Sequence, residues 1–397
     1  MTSNSMYNDL DPANRFLSDR FRHIPVTERS RMIALAKGYS NIISLGRGDP
    51  DLDTPGNIVE AAKRALDQGK THYTDWIGIP ELREAIADKL RRENGMDYDK
   101  SEILVTVGGQ EAVFMLMLSL LNMGDEIIIP EPRYTSYDTA IEVAGGKMVP
   151  LITKPENDFQ IMAEDVEKLI TPRTKALLVI TPNNPTGVVM TKENLEALAE
   201  VAKRHDLVVI SDEIYEKLMF DGWKHWSIGS FPGMKERTLT VNGVSKSYSM
   251  TGWRLGYVAG PRNIIDAMSQ LKYAITICAA SISQLAALEA FTGPQDSLEE
   301  MVNVYNKRRL VTMMRLDRLG IPYVTPRGAF YIFPEIRKYG MTSFDFCRFM
   351  MEKAQVLLFP GTAFGEGGEG FVRISLLAPT DKIMEAFDRM EKALEML

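Results

Sequence analysis

From about residue 100 to 260 the chain is a succession of short apolar runs set between stretches with helical spacing. Runs at 103–107, 127–129, 147–151, 176–180, 207–210, 238–241 and 255–259 read as strands. Helices are predicted after Gly109 to about 122, then over 134–144, 163–170 and 192–205. Most of these runs are short and apolar and are separated by helices, which predicts a mostly parallel sheet covered by helices on both faces. Earlier, the run 42–45 leads into GRGDP (46–50), a loop signal. Thr54 then reads as an N-cap, Pro55 as the first helical residue and Gly69 as the stop. Pro80 opens another helix that Gly95 ends. After about 295 the pattern changes to a long charged helix over 297–319, short strands near 330–333, 356–359 and 371–375, and a terminal helix. The expected fold is α/β, a large sheet domain joined to a smaller α+β domain. Its divisions are 1–45 (an arm, a helix and part of the small domain), 46–295 (large domain) and 296–397 (small C-terminal domain).

Composition narrows the function. The 397 residues are 45% hydrophobic and 25% charged, with net charge −7. This is ample for a large core, and the acidic balance argues against nucleic acid as a partner. Two cysteines, Cys278 and Cys347, make no disulfide framework, and the four histidines (23, 72, 205 and 225) are scattered, so no metal cluster is expected. The opening MTSNSMYNDLDPANR lacks the charged-then-apolar order of a signal peptide, and no run reaches the roughly 18–20 apolar residues of a membrane span. The expectation is a cytoplasmic protein without membrane contact.

In open α/β sheets ligands bind beyond the carboxyl ends of the strands, so the residues after each strand carry the chemistry. GGQEA (108–112) places two glycines where a strand meets a helix N-terminus, which suits phosphate. In TPNNPTG (181–187), two prolines hold Asn184, whose amide can donate to a phenolate or carboxylate. SDEIY (211–215) puts Asp212 at the end of a buried strand, where a carboxylate needs a partner and a cation is implied. In the segment 244–254, Lys246 lies among small hydroxyl residues, and a desolvated lysine becomes a nucleophile toward carbonyls. Arg254 follows as a phosphate clamp. FVRIS (371–375) buries Arg373 in an apolar strand, where it either binds an anion or makes a structural ion pair. Singly, each motif has a plain structural alternative: a turn, a helix cap, a solvated loop lysine. Jointly they supply what pyridoxal phosphate requires: a phosphate cradle, an imine-forming lysine, a carboxylate for a pyridinium, an amide for a phenolate and an arginine for a substrate carboxylate.

The ordered set GGQEA, PNNPTG, SDEIY, SKSYSMTGWRLGY and FVRIS resembles the class I/II aminotransferases, fold-type-I pyridoxal-phosphate enzymes of the aspartate aminotransferase superfamily. The resemblance runs from about residue 43 to the C-terminus and includes HYTDWIGIPELREAI (72–86). It implies a seven-stranded, mostly parallel sheet and a small domain built from both chain ends. It further implies that Lys246 is the Schiff-base lysine and proton shuttle, Asp212 the pyridinium's carboxylate, and Tyr215 and Asn184 the donors to the phenolic oxygen. Tyr134 would stack on the ring. Gly109, Gln110 and Arg254 would hold the phosphate, with Tyr73 donated across a homodimer interface. Arg373 and Gly48 would bind the substrate's α-carboxylate. Three residues before the lysine, many members carry a phosphate-binding serine; this chain has Gly243, and Ser245 is the candidate to compensate.

The resemblance implies transamination between an L-amino acid of aspartate, aromatic or alanine type and a 2-oxo acid such as 2-oxoglutarate or pyruvate. Arg47 is a candidate for a second substrate carboxylate, and Trp76 for an apolar or aromatic side chain; either can equally be a surface or packing residue. The same scaffold hosts C–S lyases, in which Lys246 would serve elimination. A regulator with an aminotransferase-like sensor would need a DNA-binding segment, and residues 1–45 are short and not basic.

Overall fold

The computed structural model describes residues 15–18 and 27–397, so most of the expected N-terminal arm, together with His23, lies outside the described residues. The chain proceeds through α1 (Glu28–Ala36), β1 (Ile43–Ser44), α2 (Gly56–Asp67), α3 (Pro80–Asn94), β2 (Ile103–Thr106), α4 (Gly108–Leu120), β3 (Glu126–Glu131), α5 (Ser136–Val143) and β4 (Lys147–Ile152). It continues with α6 (Ala163–Leu169), β5 (Thr174–Ile180), α7 (Lys192–Arg204), β6 (Val208–Asp212), β7 (Thr238–Gly243), β8 (Gly256–Ala259), α8 (Arg262–Ile275), α9 (Ser281–Thr292) and α10 (Asp296–Arg318). The last elements are β9 (Tyr331–Ile332), α11 (Ser343–Ala354), β10 (Val356–Leu357), β11 (Phe359–Pro360), β12 (Val372–Ser375) and α12 (Thr380–Leu394).

Strands β2 to β8 form one seven-stranded sheet in the order β2-β8-β7-β6-β5-β3-β4, parallel except for β8, which runs against both its neighbours. The strands are apolar on both faces because alternate residues feed different cores. Ile127, Ile129, Leu178 and Ile210 pack with α4 and α5, whereas Ile128, Leu177, Val179 and Val209 pack with α7. Each such side chain stabilises the fold by about 1.5–3 kcal/mol. At the other end of the sheet, Ile103, Val105 and Tyr257 meet α2, α3 and α9. Helices α8, α9 and α11 fall in stretches where the sequence pattern gave no element.

A second core joins the two ends of the chain. Strand β1 pairs in parallel with β10, and Met32, Ile43 and Leu45 pack with Phe346, Met350 and Phe387. Beside it, β11, β12 and β9 form a three-stranded antiparallel sheet. Helix α10 runs between the cores: Leu298 enters the sheet's cluster, and Met301, Tyr305 and Leu316 enter the second.

Two capping expectations come out differently. Gly95 ends α3 in the left-handed region (φ 66°), as its position predicts. Thr54, however, caps nothing: Pro55 stands at the cap of α2 without a side-chain bond. The Thr54 hydroxyl instead donates to the Ser249 carbonyl at 2.8 Å and accepts from Trp253 Nε1 at 3.0 Å. It ties α2 to the loop that carries Lys246. Among the described residues, no helix is long and apolar enough to cross a membrane.

Candidate active site

The carboxyl ends of β2, β3, β5, β6 and β7 share one edge of the sheet with the start of the reversed strand β8. A cavity of about 370 Å³ opens there. Of the residues singled out in the sequence, Gly48, Gly109, Gln110, Tyr134, Asn184, Asp212, Tyr215, Ser245, Lys246, Arg254 and Arg373 line it.

Lys246 Nζ donates to the Gly48 carbonyl at 2.7 Å and makes no ion pair among the described residues. Burial, which disfavours the ammonium, brings its pKa down to about 8; Asp49 opposes this shift, while Arg373, Arg254 and Arg29 reinforce it. Asp212, at the end of β6, was expected to need a cation. It has none as an ion-pair partner among the described residues: its carboxylate accepts the Tyr137 hydroxyl and the Ile214 N–H, the latter at 3.1 Å. Burial pushes its pKa up, against the pull of those hydrogen bonds. Such a carboxylate gains from any cation that enters the cavity.

Arg373 makes no structural ion pair among the described residues. It is 4% exposed, with Nη1 donating to Asn184 Oδ1 at 2.9 Å and Nη2 to the Gly46 carbonyl at 2.7 Å. Its guanidinium carbon lies 4.3 Å from the ring centre of Tyr331 and 4.6 Å from that of Phe364. Nε is buried without a partner. A guanidinium held by neutral groups, with an N–H unspent, can receive a carboxylate. Because Asn184 gives its oxygen to Arg373, its NH₂ is left as the donor end. The Tyr215 hydroxyl lies 3.2 Å from that of Tyr331, and burial raises its pKa far above the ordinary phenol value.

At the opposite end, α4 begins at Gly108, whose φ of +75° favours glycine. A Cβ at Gly108 would come within 2.6 Å of Arg254 Nη2, so the guanidinium lies against this bare backbone. Amides of the first helical turn lack intrahelical acceptors, so together with Arg254 they can hold an anion. The geometry also explains Gly243. A Cβ there would meet Gly256 Cα and the Leu255 carbonyl at 2.8 Å, and Gly256 in turn abuts the backbone of Gly108 and Gly109. Three backbones meet too closely for a serine, and Ser245 lines the cavity wall together with Ser136 and Thr251.

The family model for aminotransferase class I and II matches residues 40–390. The chain belongs to this family. Among proteins it resembles, the aromatic-amino-acid aminotransferase 2 of Thermococcus litoralis is 46% identical, over 96% of this chain and 98% of that protein. The aspartate aminotransferase of Pyrococcus abyssi is also 46% identical, over 95% and 98%. A solved structure, the aromatic aminotransferase of Pyrococcus horikoshii, superposes with a TM-score of 0.88 at 45% identity, over 92% of this chain and 99% of that one. The aminotransferase thus transfers amino groups between amino acids and oxo acids, in a family that generally depends on pyridoxal phosphate.

Not every residue singled out in the aminotransferase sequence reaches the cavity. Tyr73 is 81% exposed and lines a separate open depression with Thr71, Thr276 and Cys278. Trp76 packs edge-on against Tyr273, and Arg47 is exposed; neither lines the cavity. Conversely, Arg29, Asp49, Tyr137 and Tyr331 do line it, and none of them was singled out as a site residue in the sequence. Tyr137 had a signal: it stands three residues after Tyr134, a spacing that puts both on one side of the helix predicted over 134–144, although the helix itself begins at Ser136. Behind Asp212, Glu213, Glu216 and His225 bring their ligand atoms within 4.8 Å of one another. Lys89 and Asn94 bond Glu216, and Ser227 bonds Glu213, so this cluster has partners of its own.

Proposed function

We propose that this aminotransferase uses pyridoxal phosphate held at Lys246, and that Arg373 receives the α-carboxylate of both the amino-acid and the oxo-acid substrate. The observation that carries this reading is the placement of a partly neutralised lysine, an unpaired buried carboxylate and an arginine with a free N–H in one cavity. The residues present fit the cofactor. Gly109, Gln110, Ser245 and Arg254 would hold its phosphate, Asp212 its ring nitrogen, Asn184 and Tyr215 its phenolic oxygen, and Tyr134 the face of its ring. When bound, pyridoxal phosphate supplies an aldehyde that captures amines and a cationic ring that draws electrons from the substrate's Cα.

The chain's own residues do the rest. Arg373 orients the substrate through two parallel N–H bonds. Lys246 Nζ is both the amine that holds the cofactor and the base that moves the Cα proton; a positioned base of this kind supplies on the order of 10²–10⁴-fold. Its depressed pKa keeps a usable fraction neutral near pH 7. Tyr137 and the Ile214 N–H fix the Asp212 carboxylate, which would keep the ring nitrogen protonated.

Division of the chain into a large domain over 46–295 and a small one formed by 1–45 with 296–397 is part of this reading, supported by the β1–β10 pairing. So is a cytoplasmic homodimer in which Tyr73 reaches the partner's phosphate site, supported by its exposure beside Trp76, Tyr273 and Ile277. The names of the relatives favour aspartate- or aromatic-type donors.

Purified protein reconstituted with pyridoxal phosphate should show an absorbance band that an L-amino acid shifts and a 2-oxo acid restores. Lys246→Ala should lose both the band and turnover. Retained turnover in that variant, or release of pyruvate and ammonia from a cysteine conjugate without any oxo acid, would contradict the assignment.

A further inference from the structure

The charged groups lining the cavity are Arg29, Lys246, Arg254 and Arg373 against Asp49 and Asp212. Under the reading above, each has a task except Arg29 and Asp49. Arg254 serves the phosphate, Asp212 the ring nitrogen, Lys246 the cofactor's aldehyde and Arg373 the α-carboxylate. Asp49 is already engaged, accepting the Thr251 hydroxyl at 2.5 Å. Arg29 is not: no hydrogen bond or ion pair ties its guanidinium to another described residue.

Its position points to the substrate end. The Arg29 guanidinium carbon lies 5.6 Å from the ring centre of Phe359, and that of Arg373 lies 5.4 Å from the same ring. The phosphate end, where Arg254 meets Gly108, is a different part of the cavity wall. Helix α1 is firmly seated: Thr27 caps it at the Ser30 N–H, Glu28 bonds the Thr362 hydroxyl, Met32 is wholly buried, and Arg31 stacks 4.3 Å from the centre of Phe344. Arg29 is therefore presented from a fixed helix. Two guanidinium groups on one side of the cavity raise its positive potential, which favours an anion there.

We propose that Arg29 grips the second carboxylate of a dicarboxylic amino acid or oxo acid whose α-carboxylate is on Arg373. The assignment rests on the transaminase reading of the site and names its substrate class. It moves the role that the sequence offered to Arg47 onto a residue that lines the cavity. Aromatic or small apolar substrates use Arg373 without Arg29, because the latter lies at the solvent side and can remain hydrated.

The test uses the pyridoxal-phosphate-loaded protein and two ligands that cannot react, maleate (two carboxylates) and 3-phenylpropionate (one), with dissociation constants from calorimetry. Arg29→Gln should weaken maleate about 10- to 100-fold, as loss of charge-assisted hydrogen bonds does, and change 3-phenylpropionate less than about threefold, within ordinary surface effects. Arg29→Lys should recover part of the maleate affinity. Equal weakening of both ligands would assign Arg29 to the shared carboxylate or to the general field, and no weakening of either would remove it from the site; both outcomes overturn the proposal. The cofactor band separates the two levels. A protein that binds pyridoxal phosphate and responds to amino acids while maleate ignores Arg29 refutes this inference alone, whereas one that takes up no cofactor refutes the function as well.

Discussion

Replacing Lys246 with methionine should make the cofactor-free protein more stable near neutral pH, although it removes the amine to which the proposal assigns the cofactor. Burial sets the lysine's pKa at about 8 in the folded chain, against 10.5 when it is free. The folded state therefore binds fewer protons than the unfolded one between these values, and stability rises with pH across that window. Above the unfolded value the amine is neutral in both states and costs nothing. As pH falls the cost accumulates, reaching about 3 kcal/mol near pH 7 and remaining about 1.4 kcal/mol at about pH 9.5. Methionine removes this cost and forfeits the bond to the Gly48 carbonyl, worth about 1 kcal/mol. The variant should thus gain about 2 kcal/mol near pH 7 and little at about pH 9.5. Urea unfolding of cofactor-free wild type and variant at the two pH values measures the difference. A difference that is the same at both would refute the buried-ammonium account.

Arg373→Lys keeps the charge but loses the parallel pair of N–H donors and the stacking on Tyr331 and Phe364. The KM values for amino acid and oxo acid should both rise about 10- to 100-fold, which steady-state kinetics will show; unchanged values would remove Arg373 from substrate binding. Gly243→Ser should destabilise the protein by about 1–3 kcal/mol, because the atoms its Cβ meets belong to backbone that cannot step aside. A Tm equal to the wild type's would show that this contact is looser than described.

The sheet was legible because its central strands are buried on both faces and several read as unbroken apolar runs, as in Ala176–Leu177–Leu178–Val179–Ile180. Helix α9 was not, because Ile282 and Leu288 flank the buried Ala286, Ala287 and Ala290 against the same core and Leu285 adds a further apolar position, leaving no clear polar face. Within the site, residues in strand-end motifs were found, since Lys246, Asp212 and Asn184 each stand where a buried strand releases the chain. Arg29 and Tyr331 come from elements whose own pattern is unremarkable and reach the cavity only through the tertiary fold. Local spacing likewise gave Thr54 to helix α2, whereas long-range contacts claimed its hydroxyl for the Lys246 loop.

The pairing of β1 with β10 has a temporal consequence. A chain emerging from the ribosome can assemble the sheet around Lys246 and Asp212 while β1 still waits for a neighbour more than three hundred residues downstream. Arg373 is synthesised after every other residue of the cavity. The half proposed to receive phosphate is ready well before the half proposed to receive acids, so on this reading a nascent aminotransferase completes its cofactor end before it has any means of choosing a substrate.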